Sequence, residues 1–167
     1  MSVQRWELGR HSFRPAGEPI RTSEYDVAEV DRAQAKAIVE AHHYSRSFPA
    51  ARFNIGLHRR GRLVGVATFS HPCNDSVLTT VFPGPATDST ELGRFILLDE
   101  VPGNGETWFL ARAFKLIAGE GIRGVVSFSD PVPRASVAGD VILPGHVNTI
   151  YQAHNGVYLN RGKARTL

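Results

Sequence analysis

The chain of 167 residues carries 19 Lys and Arg against 16 Asp and Glu, a formal charge of +3, with 42% hydrophobic and 21% charged residues. That is the length of one domain, able to bury about 70% of the surface its unfolded chain exposes without disulfide or metal, and the balance of a soluble globule rather than a disordered tail. A single cysteine, Cys73, excludes an internal disulfide framework; no apolar run is long enough to span a membrane and Met1–Arg5 lacks a secretory core, so one cytoplasmic domain is expected.

Residues 1–24, with Pro15, Gly17 and Pro19 and no periodicity, read as an irregular arm or edge segment. Asp31-x-x-Gln34 is a capping-box pattern opening a helix. Val30, Ala33, Ala37, Ile38 and Ala41 fall on one face of that helix, which ends near His42-His43-Tyr44. Phe53–His58 and Leu63–Phe69, joined by Arg59-Arg60-Gly61, predict a hairpin. Residues 70–90 carry Pro72, Pro83, Gly84 and Pro85 and read as loop, with a short strand at Val77–Phe82.

Glu91–Leu98 is a buried strand by composition. Trp108, Phe109, Ala113, Leu116 and Ile117 mark the clearest helix, ended by Gly119 and Gly121, and Gly124–Asp130 is a second buried strand. Beyond the loop marked by Pro131, Pro133 and Gly139, a short helix is expected at His146–His154 and a last strand at Val157–Leu159. The order helix, hairpin, strand, helix, strand, helix, strand predicts an α/β or α+β fold with helices packed on a sheet. Functional groups then gather where strands run out into loops.

Base is clustered. Arg46, Arg52, Arg59, Arg60 and Arg62 lie together with His58, and no acid stands between Glu40 and Asp75; Arg5, Arg10, His11 and Arg14 form a second group, and Arg161, Lys163 and Arg165 a third. Such groups serve either as phosphate contacts on a polyanion or as solvated surface charge.

No C-x-x-C, H-E-x-x-H, G-x-x-x-x-G-K or G-x-S-x-G is present. Gly103-x-Gly105 precedes a helix and is either a plain turn or a donor-phosphate contact through backbone N–H groups. Cys73 has no neighbouring base and reads as an unreactive thiol.

His42-His43-Tyr44 either complements a helix dipole or supplies acid–base chemistry, metal ligation and, through Tyr44, a hydrogen bond to an oxyanion. Asp130, after an apolar strand, is a general base, a metal ligand or a turn residue. Strand alternation sends Glu91 and Arg94 to opposite faces, and Arg94 on so apolar a strand is expected to meet a carboxylate or phosphate. Tyr151 is a hydrogen-bond donor candidate or a core tyrosine.

Taken in order, Ala41-His42-His43-Tyr44-Ser45, Gly61-Arg62-Leu63-Val64-Gly65-Val66, Glu91-Leu92-Gly93-Arg94, Asn104-Gly105-Glu106-Thr107, Val126-Ser127-Phe128-Ser129-Asp130 and Thr149-Ile150-Tyr151-Gln152-Ala153 resemble the Mom family of phage DNA-modification proteins. The resemblance runs from about residue 35 to 162. It implies a divergent GNAT-like acyltransferase with a bent mixed sheet, adding a methylcarbamoyl or acetamido-type group to adenine N6 in double-stranded DNA and so shielding phage DNA from host restriction. The host cell cytoplasm is the implied location.

By position it assigns catalytic roles to His43, Tyr44, Arg94, Asp130 and Tyr151, with Ser127 and Ser129 as secondary candidates. Arg46, Arg52, Arg59 and Arg60 would hold the DNA, and Gly103 and Gly105 an acyl-CoA-like donor. Fe(II) is also implied, with His43 and Asp130 the suitable ligand types. The chain departs from the family pattern at Gly93, at Gly105-Glu106-Thr107 and at Asn148. The adenine amine is a poor nucleophile, so acyl transfer to it needs base or oxyanion help. A small-amine or protein acetyltransferase using acetyl-CoA, and a DNA-binding protein without catalysis, are the alternatives; a homodimer is an open arrangement.

Overall fold

The computed structural model describes residues 2–15, 17–146 and 149–161. Strand β1 (Ser2–Glu7) pairs antiparallel with β2 (Arg10–Pro15) in a separate hairpin, so this stretch is not the irregular arm expected. The signal was masked because Arg5 occupies an inward position, 2% exposed, where alternation calls for an apolar side chain.

The main sheet has the order β3 (Tyr25–Glu29), β4 (Ala51–Arg59), β5 (Arg62–Ser70), β6 (Ser89–Leu97), β7 (Gly124–Val126). Its neighbours are antiparallel except β6 and β7, which run parallel. A parallel pair needs a crossover, supplied by helix α3 (Gly105–Gly119). The result is the expected mixed sheet flanked by helices. β3 was not anticipated from sequence.

Helix α1 (Arg32–His42) starts where the capping box placed it, the Asp31 carboxylate accepting the Gln34 N–H at 2.8 Å. Its buried face is Ala35 and Val39, packed with Val30, Val66 and Ile96, whereas Ala33, Ala37 and Ala41 are exposed. Alanine carries too little apolar area to set the phase of a helix, and the larger Val39 decided it. On the opposite face α3 lays Phe109, Leu110, Ala113 and Ile117 against Ile55, Leu57, Phe69, Leu92 and Leu97.

Thr68 pairs with Arg94 and Phe69 with Leu92, leaving Gly93 as the extra residue of a bulge. A Cβ at Gly93 would stand 2.3 Å from Ser70 Oγ, so the close approach of the strands needs glycine there. The bulge also breaks the strict alternation used to separate Glu91 from Arg94.

The remaining differences are local. A short helix α2 (Ser76–Thr79) stands where a strand was expected at 77–82. β7 covers three residues rather than seven, and 127–130 continue as irregular chain. A small ribbon, β8 (Arg134–Ala135) and β9 (Val141–Leu143), follows within the expected loop, then α4 (Thr149–Ala153); Val157–Leu159 form no strand. Asn148, Lys163 and Arg165 lie outside the described residues. No helix among the described residues is long and apolar enough to cross a membrane, and Cys73 is exposed.

Candidate active site

The parallel pairing of β6 and β7 ends at Glu91 and Val126, and past that level the two chains part. The end of α1 meets this opening. His43, the C-cap of α1, is extended, and its backbone N–H donates to the Val39 carbonyl at 2.9 Å. Its ring is buried, with Nδ1 3.1 Å from the Ser45 N–H donor and 2.8 Å from Ser45 Oγ.

The chain of contacts continues. Ser47 Oγ donates to Ser45 Oγ at 3.3 Å, and Arg94 donates from Nη2 to Ser47 Oγ at 2.8 Å and from Nε to the Ser47 carbonyl at 3.0 Å. A third bond runs from Arg94 Nη1 to the Gly93 carbonyl at 2.6 Å. A backbone N–H can only donate, and the donor that fixes the imidazole is the Ser45 backbone N–H on Nδ1. With Nδ1 an acceptor, the Ser45 hydroxyl donates to it as well. The imidazole proton therefore sits on Nε2, and His43 presents an N–H donor. Arg94 meets serine and carbonyl oxygens rather than the carboxylate or phosphate expected.

Burial pushes the His43 pKa down from 6.5 to about 3, with the positive charges of Arg94 and His146 adding to the effect. Below about pH 6.5 an unfolded His43 binds a proton that the folded chain refuses until about pH 3, so acid favours unfolding in that window. Urea titrations between about pH 6 and pH 4 should show stability falling by about 1.4 kcal/mol per pH unit from this residue. His43→Asn should remove that share of the slope; an unchanged slope would contradict the neutral assignment.

Tyr44 stacks on His43 with ring centroids 4.3 Å apart and on Trp6 at 5.0 Å. Burial raises its pKa, as does the Asp130 charge, against the opposing Arg94 and Arg134. Tyr151 packs against the main core; burial pushes its pKa up to about 12, with a Ser127 hydrogen bond opposing and the charges of Tyr44 and Glu91 adding. Both phenols are neutral donors at ordinary pH.

Asp130 accepts the Val132 N–H through Oδ1 at 3.2 Å and is ion-paired with Arg134 through Oδ2. Its backbone carbonyl accepts the His146 N–H at 2.9 Å, and burial lowers the His146 pKa against the pull of Asp130. His43, Tyr44, Arg94, Asp130 and Tyr151 are thus linked by ring contacts and charge interactions around the opening, although they come from the end of α1, from β6, from the chain after β7 and from α4.

Other expected site residues are placed elsewhere. Gly105 is the first residue of α3 and is buried; a Cβ there would come 2.4 Å from Val101 Cγ1, so this glycine serves packing. Buried Glu106 stands in the first turn of α3, ion-paired with Arg5. The Glu106 carboxylate is taken up by Arg5, and Gly105 turns into the packing against Val101.

Arg59 and Arg60 both pair with Glu24 at 3.0 Å, and Arg62 pairs with Glu100. The acids arrive through the β3–β4 pairing and the end of β6, which the linear gap between Glu40 and Asp75 could not reveal. Arg59 also lies five residues along β4 from Asn54, the level of Thr68 and Arg94, about 17 Å at 3.4 Å per residue. Arg52 donates to the Ser89 carbonyl at 3.2 Å, and Arg46 to the Leu8 carbonyl at 2.8 Å.

His43 and Asp130 do not fit an iron site in this arrangement. Nδ1 of His43 accepts from the Ser45 N–H, so its Nε2 bears the proton and neither nitrogen is free to ligate, and the Asp130 charge is already paired with Arg134. No group of three His, Cys, Asp or Glu among the described residues is placed to hold a metal.

Comparison with family models gives a match to the Mom protein family over residues 24–166, most of the chain and every site residue above except Trp6. The chain belongs to the Mom protein family. No curated protein matches it. In this Mom-family chain the matched segment begins after the β1–β2 hairpin, so Trp6 reaches the site from outside it.

Sequence reasoning missed Ser45 and Ser47 as partners of His43, and Arg134, His146 and Trp6 altogether. For the serines a signal existed, in the Ser45-Arg46-Ser47 spacing directly after His43-Tyr44. Arg134, four residues after Asp130, was a weaker one.

Proposed function

We propose that this Mom-family protein is a DNA-modifying transferase that adds a methylcarbamoyl or acetamido-type group to adenine N6, protecting phage DNA from host restriction. The observation that supports it is the convergence of three neutral donors, His43 Nε2–H, Tyr44 and Tyr151, with Arg94 and the paired Asp130, at the opening between β6 and β7. A GNAT-like reading of the fold goes with this proposal.

The adenine amine is inaccessible in a stacked duplex, so the base is flipped into the opening. Each Asp130 oxygen keeps a lone pair beyond its present partner, and the carboxylate accepts a hydrogen bond from the amine and orients it. As N6 attacks the acyl carbon, negative charge grows on the acyl oxygen, and donors that need no reorganisation stabilise it. Tyr44 and His43 Nε2–H take that role, with the Arg94 guanidinium behind them. With an activated acyl compound as co-substrate, the N6–C bond forms, the bond from its acyl carbon to its leaving group breaks, and the proton lost by N6 passes through Asp130 to that departing group. Arg46 and Arg52, which carry no carboxylate partner among the described residues, contact the DNA phosphates. A conventional CoA-dependent acetyltransferase is the weaker reading, because Gly105 is buried against Val101 rather than open to a donor phosphate.

Mass spectrometry of nucleosides from plasmid DNA recovered after co-expression is the test. A heavier deoxyadenosine, absent with Asp130→Ala, is expected. Unmodified DNA beside folded protein would overturn the proposal.

A further inference from the structure

The β1–β2 hairpin lies before the segment matched by the family, yet it is fastened to the site. Strand alternation gives the hairpin two faces. The inward face carries Val3 and Arg5, both buried, with Arg5 donating to the Val101 and Pro102 carbonyls at 3.1 and 3.0 Å and ion-paired with Glu106. At the tip, the Leu8 N–H donates to His42 Nδ1 at 3.1 Å and the Gly9 N–H to the His42 carbonyl at 2.9 Å.

The other face carries rings whose inner end, Trp6, is part-buried against the cluster of Val30, Val39, Val66 and Ile96 and whose outer end, Phe13, is exposed. Trp6 is paired with His11 across the strands, and Phe13 follows two residues on along β2. Phe13 contacts His11 at 5.7 Å, His11 contacts Trp6 at 5.9 Å, Trp6 contacts Tyr44 at 5.0 Å and Tyr44 contacts His43 at 4.3 Å. An unbroken file of rings therefore leads from the surface, where Phe13 is 60% exposed, to the buried imidazole of the site. The solvent-facing side of an antiparallel ribbon is ordinarily polar.

Two exposed cations border the file. Arg10 opens β2, and Arg46 reaches the hairpin tip with one guanidinium nitrogen on the Leu8 carbonyl. The acids nearby are Glu7 at the end of β1 and Asp99, which accepts from Ser12 on the inward face. Aromatic faces flanked by arginine are the chemistry of single-strand binding, where stacking is sequence-tolerant and the cations take phosphates.

We propose that the exposed end of this ring file, at Phe13 and His11, is a stacking platform for nucleobases left unpaired beside the target adenine when it is drawn from the duplex. Phe13 and His11 take the bases and Arg10 and Arg46 the phosphates. This rests on the DNA reading above. The ring file sets the approach: bases seated on Phe13 and His11 lie at the outer end of the rings that run through Trp6 to Tyr44.

Fluorescence anisotropy with a labelled single-stranded oligodeoxyadenylate, repeated over a range of salt, tests it. His11→Ala with Phe13→Ala should weaken binding by about fivefold to a hundredfold. The slope of log affinity against log salt should stay at the wild-type value, because no cation is lost. Arg10→Ala should instead reduce the magnitude of that slope by about 0.7. Phe13→Trp in an otherwise wild-type chain should keep wild-type binding, since it retains a ring, and 2-aminopurine in the oligonucleotide should be quenched by wild type and not by the double variant. Phe13 is solvent-facing, so thermal unfolding serves as the control for folding.

Equal affinity for wild type and double variant, with DNA modification intact, overturns the platform alone. Loss of a protein dimer in sedimentation, with DNA affinity unchanged, overturns it in favour of a second copy as the occupant. A wild-type chain that binds no DNA overturns both the platform and the proposed function.

Discussion

Arg5→Ala should lower the unfolding free energy by about 3–5 kcal/mol, the cost of leaving a buried charge unpaired. Arg5 is 2% exposed and Glu106 7%, and their ion pair joins the β1–β2 hairpin to the first turn of α3. The pair is incompletely satisfied: Arg5 Nε and Glu106 Oε2 have no hydrogen-bond partner among the described residues. Replacing both ends with apolar side chains, as in Arg5→Met with Glu106→Leu, should therefore recover most of the loss. Urea unfolding of the two single variants and the double variant checks this. A single-variant loss below about 1 kcal/mol, the range of exposed ion pairs, would show the pair to be solvated.

Arg94→Ala should reduce modified deoxyadenosine by at least about 100-fold while the chain stays folded. The guanidinium supplies two things at once: positive charge beside the opening, and the donor that holds Ser47, which contacts Ser45 beside His43. Arg94→Lys keeps the charge but loses the planar fork, so it should fall between wild type and alanine. Nitrogen-15 NMR of the His43 ring separates the two roles. The proton should reside on Nε2 in wild type and stay there in Arg94→Ala, because the Ser45 backbone N–H still donates to Nδ1, so a loss of activity with the tautomer unchanged assigns the effect to the charge. Wild-type yield from Arg94→Ala would remove this residue from the mechanism.

Much of the architecture was legible locally. The capping box of α1, the β4–β5 hairpin and α3 all stand where periodicity and turn residues placed them, because each is specified by contacts within a short window. What failed did so for identifiable reasons. The first hairpin hid behind a buried arginine, the phase of α1 behind small alanines, and the alternation of β6 behind a bulge that only its partner strand defines. The short β7 ended early because pairing with β6 stops at Val126, whereas its apolar composition runs on.

The candidate site shows the same division. Residue chemistry marked His43, Tyr44, Arg94, Asp130 and Tyr151 as groups able to move or stabilise charge but left each a structural alternative, and it was the resemblance to the Mom family that drew them into one set. Their juxtaposition across four segments is a property of the sheet. The tautomer of His43 is by contrast local, set by the Ser45 backbone N–H two residues on, and only the burial of the ring belongs to the tertiary fold. Which arginines carry an ion pair was equally beyond the sequence: Arg59 and Arg60 look like an unpaired basic patch until the chain before β3 brings Glu24 to them, and Gly105 reads as a turn glycine until Val101 packs against it. By itself the sequence determined the helices, the hairpin and the identity of the reactive groups, because those follow from nearest-neighbour periodicity and side-chain chemistry. Tertiary structure alone decided their partners, protonation and access, because those depend on burial and on charges brought together from distant parts of the chain.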